Sequence, residues 1–182
     1  IRAWQKIATR FKDSSTIWGY DLLNEPAQFS RPPAGLKDWN ALGKAAALAI
    51  RAIDPAHTLI TGPRYYNPRY IDKLKPLGLP NVVYTIHFYE PFKFLHQGFF
   101  GLPLNASYPT KKWNKKALLK ALEKVDAFQK KNKKAKMFVG EFSVIRWAPG
   151  DSAAKYLRDI LSIFEKKKWH WTYHAFRDAD AW

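Results

Sequence analysis

Short runs of β-branched and aromatic residues alternate along this chain with segments whose apolar positions recur every three to four residues, the pattern of repeated βα units and a mostly parallel sheet. Five strands are predicted, over residues 16–23, 58–61, 82–87, 136–141 and 169–175. In the helix predicted over 39–53, Trp39, Leu42, Ala46, Ala49 and Ile53 form one stripe. Leu118, Leu122, Val125 and Phe128 do the same over 115–131, and Tyr156, Ile160, Ile163 and Phe164 over 152–166. Residues 1–12 read as a helix leading into the first strand, and a shorter helix follows Asn67.

The connections after the strands, 24–39, 89–113 and 142–151, are long and carry the unusual residues, whereas the turns before the strands are short and plain. A barrel with its working face at the carboxyl ends of its strands has this asymmetry. An open doubly wound sheet has it too, but no Gly-rich phosphate turn follows the first strand, which argues against a nucleotide-binding version. The expected fold is therefore α/β, a partial (β/α)8 TIM barrel of about five βα units where a closed barrel has eight and ~250 residues. Such a sheet leaves unpaired edges and half-covered apolar side chains. A missing N-terminal portion, or self-association as a homodimer or higher oligomer, is expected to cover them.

Composition bounds the rest. With 182 residues, 47% of them hydrophobic, the chain reads as one globular domain over 1–182. No apolar run approaches the ~18 residues that span a bilayer, so no membrane partner is expected. Residues 1–10 lack a signal-peptide pattern and the chain lacks an initiator Met, as expected of a segment of a longer protein. Without cysteine there is no disulfide or thiolate metal site. The net charge of +16 first suggests nucleic acid. Lysines, however, cluster at Lys111-Lys112, Lys115-Lys116, Lys130-Lys131, Lys133-Lys134-Lys136 and Lys166-Lys167-Lys168, on helix faces, helix ends and turns where solvated charge is ordinary. No recognised nucleic-acid module accompanies them, so nucleic acid is not the expected partner. Eight Trp and nine Tyr exceed what packing usually requires, and flat polar-edged rings suit sugar faces, although most such rings in a protein of this size serve the core.

The chemistry lies at the strand ends. Asn24-Glu25-Pro26 closes the first strand, its proline stopping the strand with Glu25 at the tip. Gly140-Glu141-Phe142-Ser143 closes the fourth, Gly140 leaving room for close approach. Opposed carboxyl groups are what glycosidic cleavage needs, one protonating the leaving oxygen while the other attacks the anomeric carbon or activates water there. Between them Thr85, His87 and Tyr89 share one strand parity; a Tyr hydroxyl can hold the nucleophilic carboxylate, and a His can orient the sugar or the Tyr. A core histidine is the plainer reading of His87. A metal site is the competing reading of His87, Glu25 and Glu141, but a second histidine at ligand spacing is lacking. No nucleophile-elbow spacing surrounds Ser143. Asp21 shares the parity of Glu25 and should point into the barrel, where a carboxylate needs a partner that the sequence does not reveal.

Together these residues resemble the retaining glycoside hydrolases of barrel fold, and most closely glycoside hydrolase family 5, over the whole chain. Trp18-Gly19-Tyr20-Asp21-Leu22-Leu23-Asn24-Glu25-Pro26 is similar to the family's fourth-strand motif, His87-Phe88-Tyr89 to its sixth-strand pair, and Gly140-Glu141-Phe142 to its seventh-strand nucleophile. The resemblance implies a secreted endo-β-glycanase acting on β-linked polysaccharide or oligosaccharide by a two-glutamate double displacement, with no cofactor and no metal. It makes Glu25 the protonated acid/base and Glu141 the ionised nucleophile, and it puts Asn24 on the sugar 2-hydroxyl. His87, Tyr89, Trp147, Trp171 and His174 complete the expected substrate contacts. Segments 90–98 and 146–150 resemble cleft walls, with Trp147 a stacking ring. His174 stands where many family members carry a Trp platform, a role that Trp171 or Trp182 is expected to take. The family's first three strands and last helix have no counterpart here.

Overall fold

The structure is a computed structural model that describes residues 1–27, 38–133, 135–175 and 181. Its strands β1 (Gly19–Asp21), β2 (Thr58–Thr61), β3 (Val82–His87), β4 (Lys136–Glu141) and β5 (His170–Trp171) form one parallel five-stranded sheet in chain order. A doubly wound sheet reverses its strand order at a switch point, whereas a barrel adds each strand beside the last. The unbroken order is that of a barrel. The sheet is also curled, because the rings of Trp18, just before β1, and Phe138, in β4, meet edge to face at 5.7 Å. In a flat sheet three strand spacings, roughly 14 Å, would separate those strands. The barrel is partial: among the described residues β1 and β5 each pair on one side alone.

Helices cover the outer face. The helices α1 (Arg2–Phe11) and α2 (Trp39–Arg51) lie over β1 and β2, where Ala8, Tyr20, Leu22, Ala46, Ala47, Ile50 and Leu59 form one buried cluster. A single turn, α3 (Phe92–Leu95), follows β3. The helices α4 (Lys115–Ala121), α5 (Glu123–Lys131) and α6 (Ser152–Lys167) bury the expected stripes, from Leu118 to Phe128 and from Tyr156 to Phe164, against Tyr84, Ile86, Met137 and Val139. Two short 3-10 segments, Arg64–Tyr66 and Pro68–Lys73, follow β2, the second standing where the shorter helix is predicted.

Local chemistry sets the boundaries. The side chain of Asp38 caps α2 by accepting from the Ala41 amide at 2.8 Å, and Asn114 caps α4 through Lys116 and Ala117. Helix α6 ends at Lys168 in the left-handed conformation. The single helix predicted over 115–131 is two, because at Leu122 the ladder tightens to the carbonyls of Leu119 and Lys120; Glu123 and Asp126 then open α5, where acids suit a helix start. The α2 stripe is rotated from its expected position. Gly43, Ala46, Ala47 and Ile50 face inward while Leu42 is 43% exposed, since the small residues allow closer approach and the Trp39 ring folds over Gly43. The edge strands are shorter than predicted, although bonding runs on past them: Thr58 donates to Trp18 O, and Thr172 to Val139 O.

Candidate active site

Glu25 and Glu141 reach the same end of the sheet by different routes. Glu25 lies past β1 on a turn that the Tyr65 amide holds by donating to Pro26 O at 3.1 Å. Its φ of 43° is left-handed, a strained conformation that a non-glycine residue adopts when the surroundings impose it. Glu141 ends β4. In plain alternation it would share the face of Met137 and Val139, which pack against the helices. A bulge prevents this: Ile86 pairs with Val139 but His87 pairs with Glu141, so Gly140 is skipped and the glutamate turns to the His87 side. A β-carbon on Gly140 would stand 2.7 Å from Thr85 Oγ1 and 3.2 Å from His87 Nε2, so the glycine is required by close approach between β3 and β4.

One carboxylate oxygen of each glutamate and one ring nitrogen of His87 lie within 4.8 Å of one another. His87 Nδ1 is 2.7 Å from Glu25 Oε1 and 3.3 Å from Glu141 Oε2. The Tyr89 hydroxyl donates to Glu141 Oε2 at 2.9 Å, and its pKa is pushed well up by burial and then by the Glu141 charge, so it stays a donor. The imidazole thus sits between the acids while the phenol fixes one of them. The same three groups are a donor set that a divalent cation could use, and His87 Nδ1 also stands at hydrogen-bond distance from Glu25 Oε1.

Behind His87 lies a contact that the sequence did not reveal. Tyr65 and Tyr66 both have left-handed backbones, at φ 56° and 47°, and the turn they make drives Tyr66 fully inside. There its hydroxyl donates to Asp21 Oδ1, and its ring meets the His87 imidazole edge to face at 5.0 Å. Asp21 therefore has its partner within this chain. Burial raises its pKa, against the Tyr66 hydrogen bond and the nearby His87, which lower it.

A groove of about 910 Å³ opens over the glutamates, lined by Glu25, His87, Tyr89, Glu141 and His174. Phe92, His96, Phe99 and Phe100 continue its wall, His96 stacking on Phe92 at 4.2 Å. Gln97, fully buried, pins this loop by donating to Phe94 O and Ala106 O and accepting from the Ala106 amide. Of the expected sugar contacts, Asn24 is exposed beside Glu25, outside the groove lining. Trp147 stands behind the wall, donating to Gln97 O at 3.0 Å with its ring 5.7 Å from Phe99. Trp171 turns to the helix side and donates to Glu165 Oε1 at 2.8 Å. Trp182 lies outside the described residues, as does part of the 24–39 connection. Tyr65 and Arg69, from the two short 3-10 segments, and Trp113, from the connection before α4, also line the groove, where no periodicity marks them as site residues.

Known proteins resemble this chain in sequence and fold. The family described as Cellulase (glycosyl hydrolase family 5) matches residues 1–180. Endoglucanase C of Acetivibrio thermocellus is 29% identical over 91% of this chain and 55% of its own length. A hyperthermophilic endo-beta-1,4-glucanase, solved in complex with substrate, superposes with a TM-score of 0.87 at 28% identity, over 98% of this chain and 58% of that one. Thermotoga maritima Cel5A in complex with mannotriose gives a TM-score of 0.85 at 30% identity, with the same coverage of 98% and 58%. The chain thus spans little more than half the length of the relatives it matches.

Proposed function

Because the chain belongs to the cellulase family, glycosyl hydrolase family 5, we propose that it cleaves β-1,4-glucan or a related β-glycan as a retaining endo-β-glycanase. The observation that carries the reading is the pair of glutamates in an aromatic-walled groove, one carboxylate oxygen of each lying within 4.8 Å of the other. Retaining enzymes hold their carboxyls ~5–5.5 Å apart, inverting ones ~6.5–9.5 Å apart.

Glu141 attacks the anomeric carbon and forms a glycosyl ester as the glycosidic C–O bond breaks, while Glu25 delivers its proton to the leaving oxygen. Glu25 then takes a proton from water, whose oxygen displaces Glu141 and returns the configuration to β. The Tyr89 hydroxyl holds the attacking carboxylate in line, and His87 keeps Glu25 oriented. His174, in the groove lining, contacts the sugar; Asn24 and Trp147 lie outside that lining, and contact by either requires a glycan that extends past it. A sugar contact by Trp171 requires it to leave Glu165. Glucan is favoured by the endoglucanase relatives and mannan comes next, since one similar structure holds mannotriose. A polymeric substrate implies secretion. The test is trapping with a 2-deoxy-2-fluoro-β-cellobioside bearing an activated leaving group. One fluoro-cellobiosyl group on the peptide containing Glu141 is expected, and labelling elsewhere would refute the assignment.

A second reading, an inert fragment that self-associates and at most binds carbohydrate, is favoured by Trp18, 57% exposed on the inner side of the sheet, and by the one-sided pairing of β1 and β5. It calls for a homodimer or larger species in light scattering. A monodisperse monomer removes the self-association.

A further inference from the structure

The groove does not end at the aromatic wall. Beyond Phe92 and His96 it runs to a cationic arm formed by Arg69, Lys112, Lys120 and Lys124, with Trp113 among them. Two of these cations are engaged: Arg69 pairs with Glu90, and Lys124 donates to Arg69 O and to Asp72. Among the described residues Lys112 and Lys120 have no ion pair, and Glu123, which also lines the arm, forms none with either. Lys120, in the last turn of α4, and Lys124, in the first turn of α5, both line the wall of the cleft, and like charges gathered there repel. The Trp113 backbone closes a turn with Thr110 through bonds of 2.7 and 2.9 Å, and its half-buried ring packs partly on the core while still lining the groove.

Resting on the glycanase reading above, we propose that this arm is a distal subsite for acid-substituted β-glycan, with Trp113 stacking on a sugar face and Lys112 and Lys120 taking carboxylates carried by that sugar or its neighbour. Cations beside an aromatic ring fit an anionic sugar, and the ring remains usable by a neutral one. The catalytic end of the groove is itself acidic, so the charged units sit in the arm and uncharged ones at Glu25 and Glu141.

The experiment titrates intrinsic tryptophan fluorescence of the chain with lightly substituted carboxymethyl-cellulose and with neutral hydroxyethyl-cellulose of matched length, at 20 mM and 500 mM NaCl. An exposed ion pair contributes up to about fivefold in affinity and is screened by salt. The anionic polymer should therefore bind roughly three- to tenfold tighter at low salt, with parity at high salt. In Lys112→Gln/Lys120→Gln the advantage should vanish while neutral binding persists. Lys130→Gln/Lys131→Gln, which removes the same charge from the end of α5, should keep it. An advantage surviving the first double variant, or lost equally in the second, assigns it to overall charge and overturns the subsite. Neutral binding with no anionic preference overturns the subsite alone; absence of binding to either polymer overturns the glycanase reading with it.

Discussion

Far from the groove, Asp54 is fully buried beneath β1 and β2 and takes hydrogen bonds from the Tyr20 hydroxyl at 2.7 Å, the His57 ring at 2.6 Å and the amides of Ala56 and His57 at 3.0 Å. The other ring nitrogen of His57 faces Ser14 O at 3.0 Å. Both nitrogens therefore face acceptors, and the ring satisfies both as an imidazolium. Its pKa is accordingly raised, by the Ser14 carbonyl and, against burial, by Asp54. Burial alone would push Asp54 up, but its donors outweigh it and hold it at about 2, while Tyr20 is pushed up to about 12 by burial and by Asp54. The staple ties the segment before β1 to the start of β2. For His57, whose folded pKa is raised, the stabilisation is complete below the unfolded value of ~6.5 and is lost as pH rises through the folded value. For Asp54 it is present above ~3.9 and lost as pH falls towards the folded value. A hydrogen bond to a charged group is worth about 1.5–3 kcal/mol. In a chain of this length each kcal/mol moves Tm by about 2–4 °C, so His57→Ala should lower Tm by about 3–12 °C at pH 6 and by less at pH 9. Differential scanning calorimetry across pH, with NMR titration of the His57 ring, makes the measurement. A His57 that titrates at or below 6.5, or a Tm deficit that does not shrink on going to pH 9, would refute the reasoning.

Gly140→Ala forces its new methyl against Thr85 and His87, so several tenths of an ångström of displacement should lower kcat about tenfold with little change in KM, checked on an aryl β-cellobioside beside a circular-dichroism melt. Tyr66→Phe removes the hydroxyl that donates to Asp21, whose carboxylate water can still reach; a loss of about 0.5–1.5 kcal/mol in urea unfolding is expected, with reduced turnover as the His87 contact loosens. Tyr89→Phe should lower the rate of Glu141 labelling by the fluoro-sugar without abolishing it, because the phenol holds the carboxylate and does not itself react.

What the sequence revealed is what alternation and spacing encode. Strands β2, β3 and β4 have the predicted bounds, and the α5 and α6 stripes are buried as read, since interior elements obey their period. Edge strands β1 and β5 have one partner each, and the ladder outlasts the regular strand by only a residue or so. In α2, size rather than hydrophobicity chose the buried face, which put Leu42 outside. Glu25, Glu141, His87 and Tyr89 could be named from strand-end motifs. The bulge that aims Glu141 could not, although Gly140 is its trace in the sequence. Asp21 was rightly expected to need a partner, but Tyr66 reaches it only through two left-handed residues that no periodicity announces.

The most direct test of the central claim is hydrolysis of an aryl β-cellobioside by this chain and by Glu141→Ala, prepared identically. Turnover by the chain that is abolished in the variant is the expected result. No turnover by either, or equal turnover by both, would contradict a working two-glutamate site in this chain.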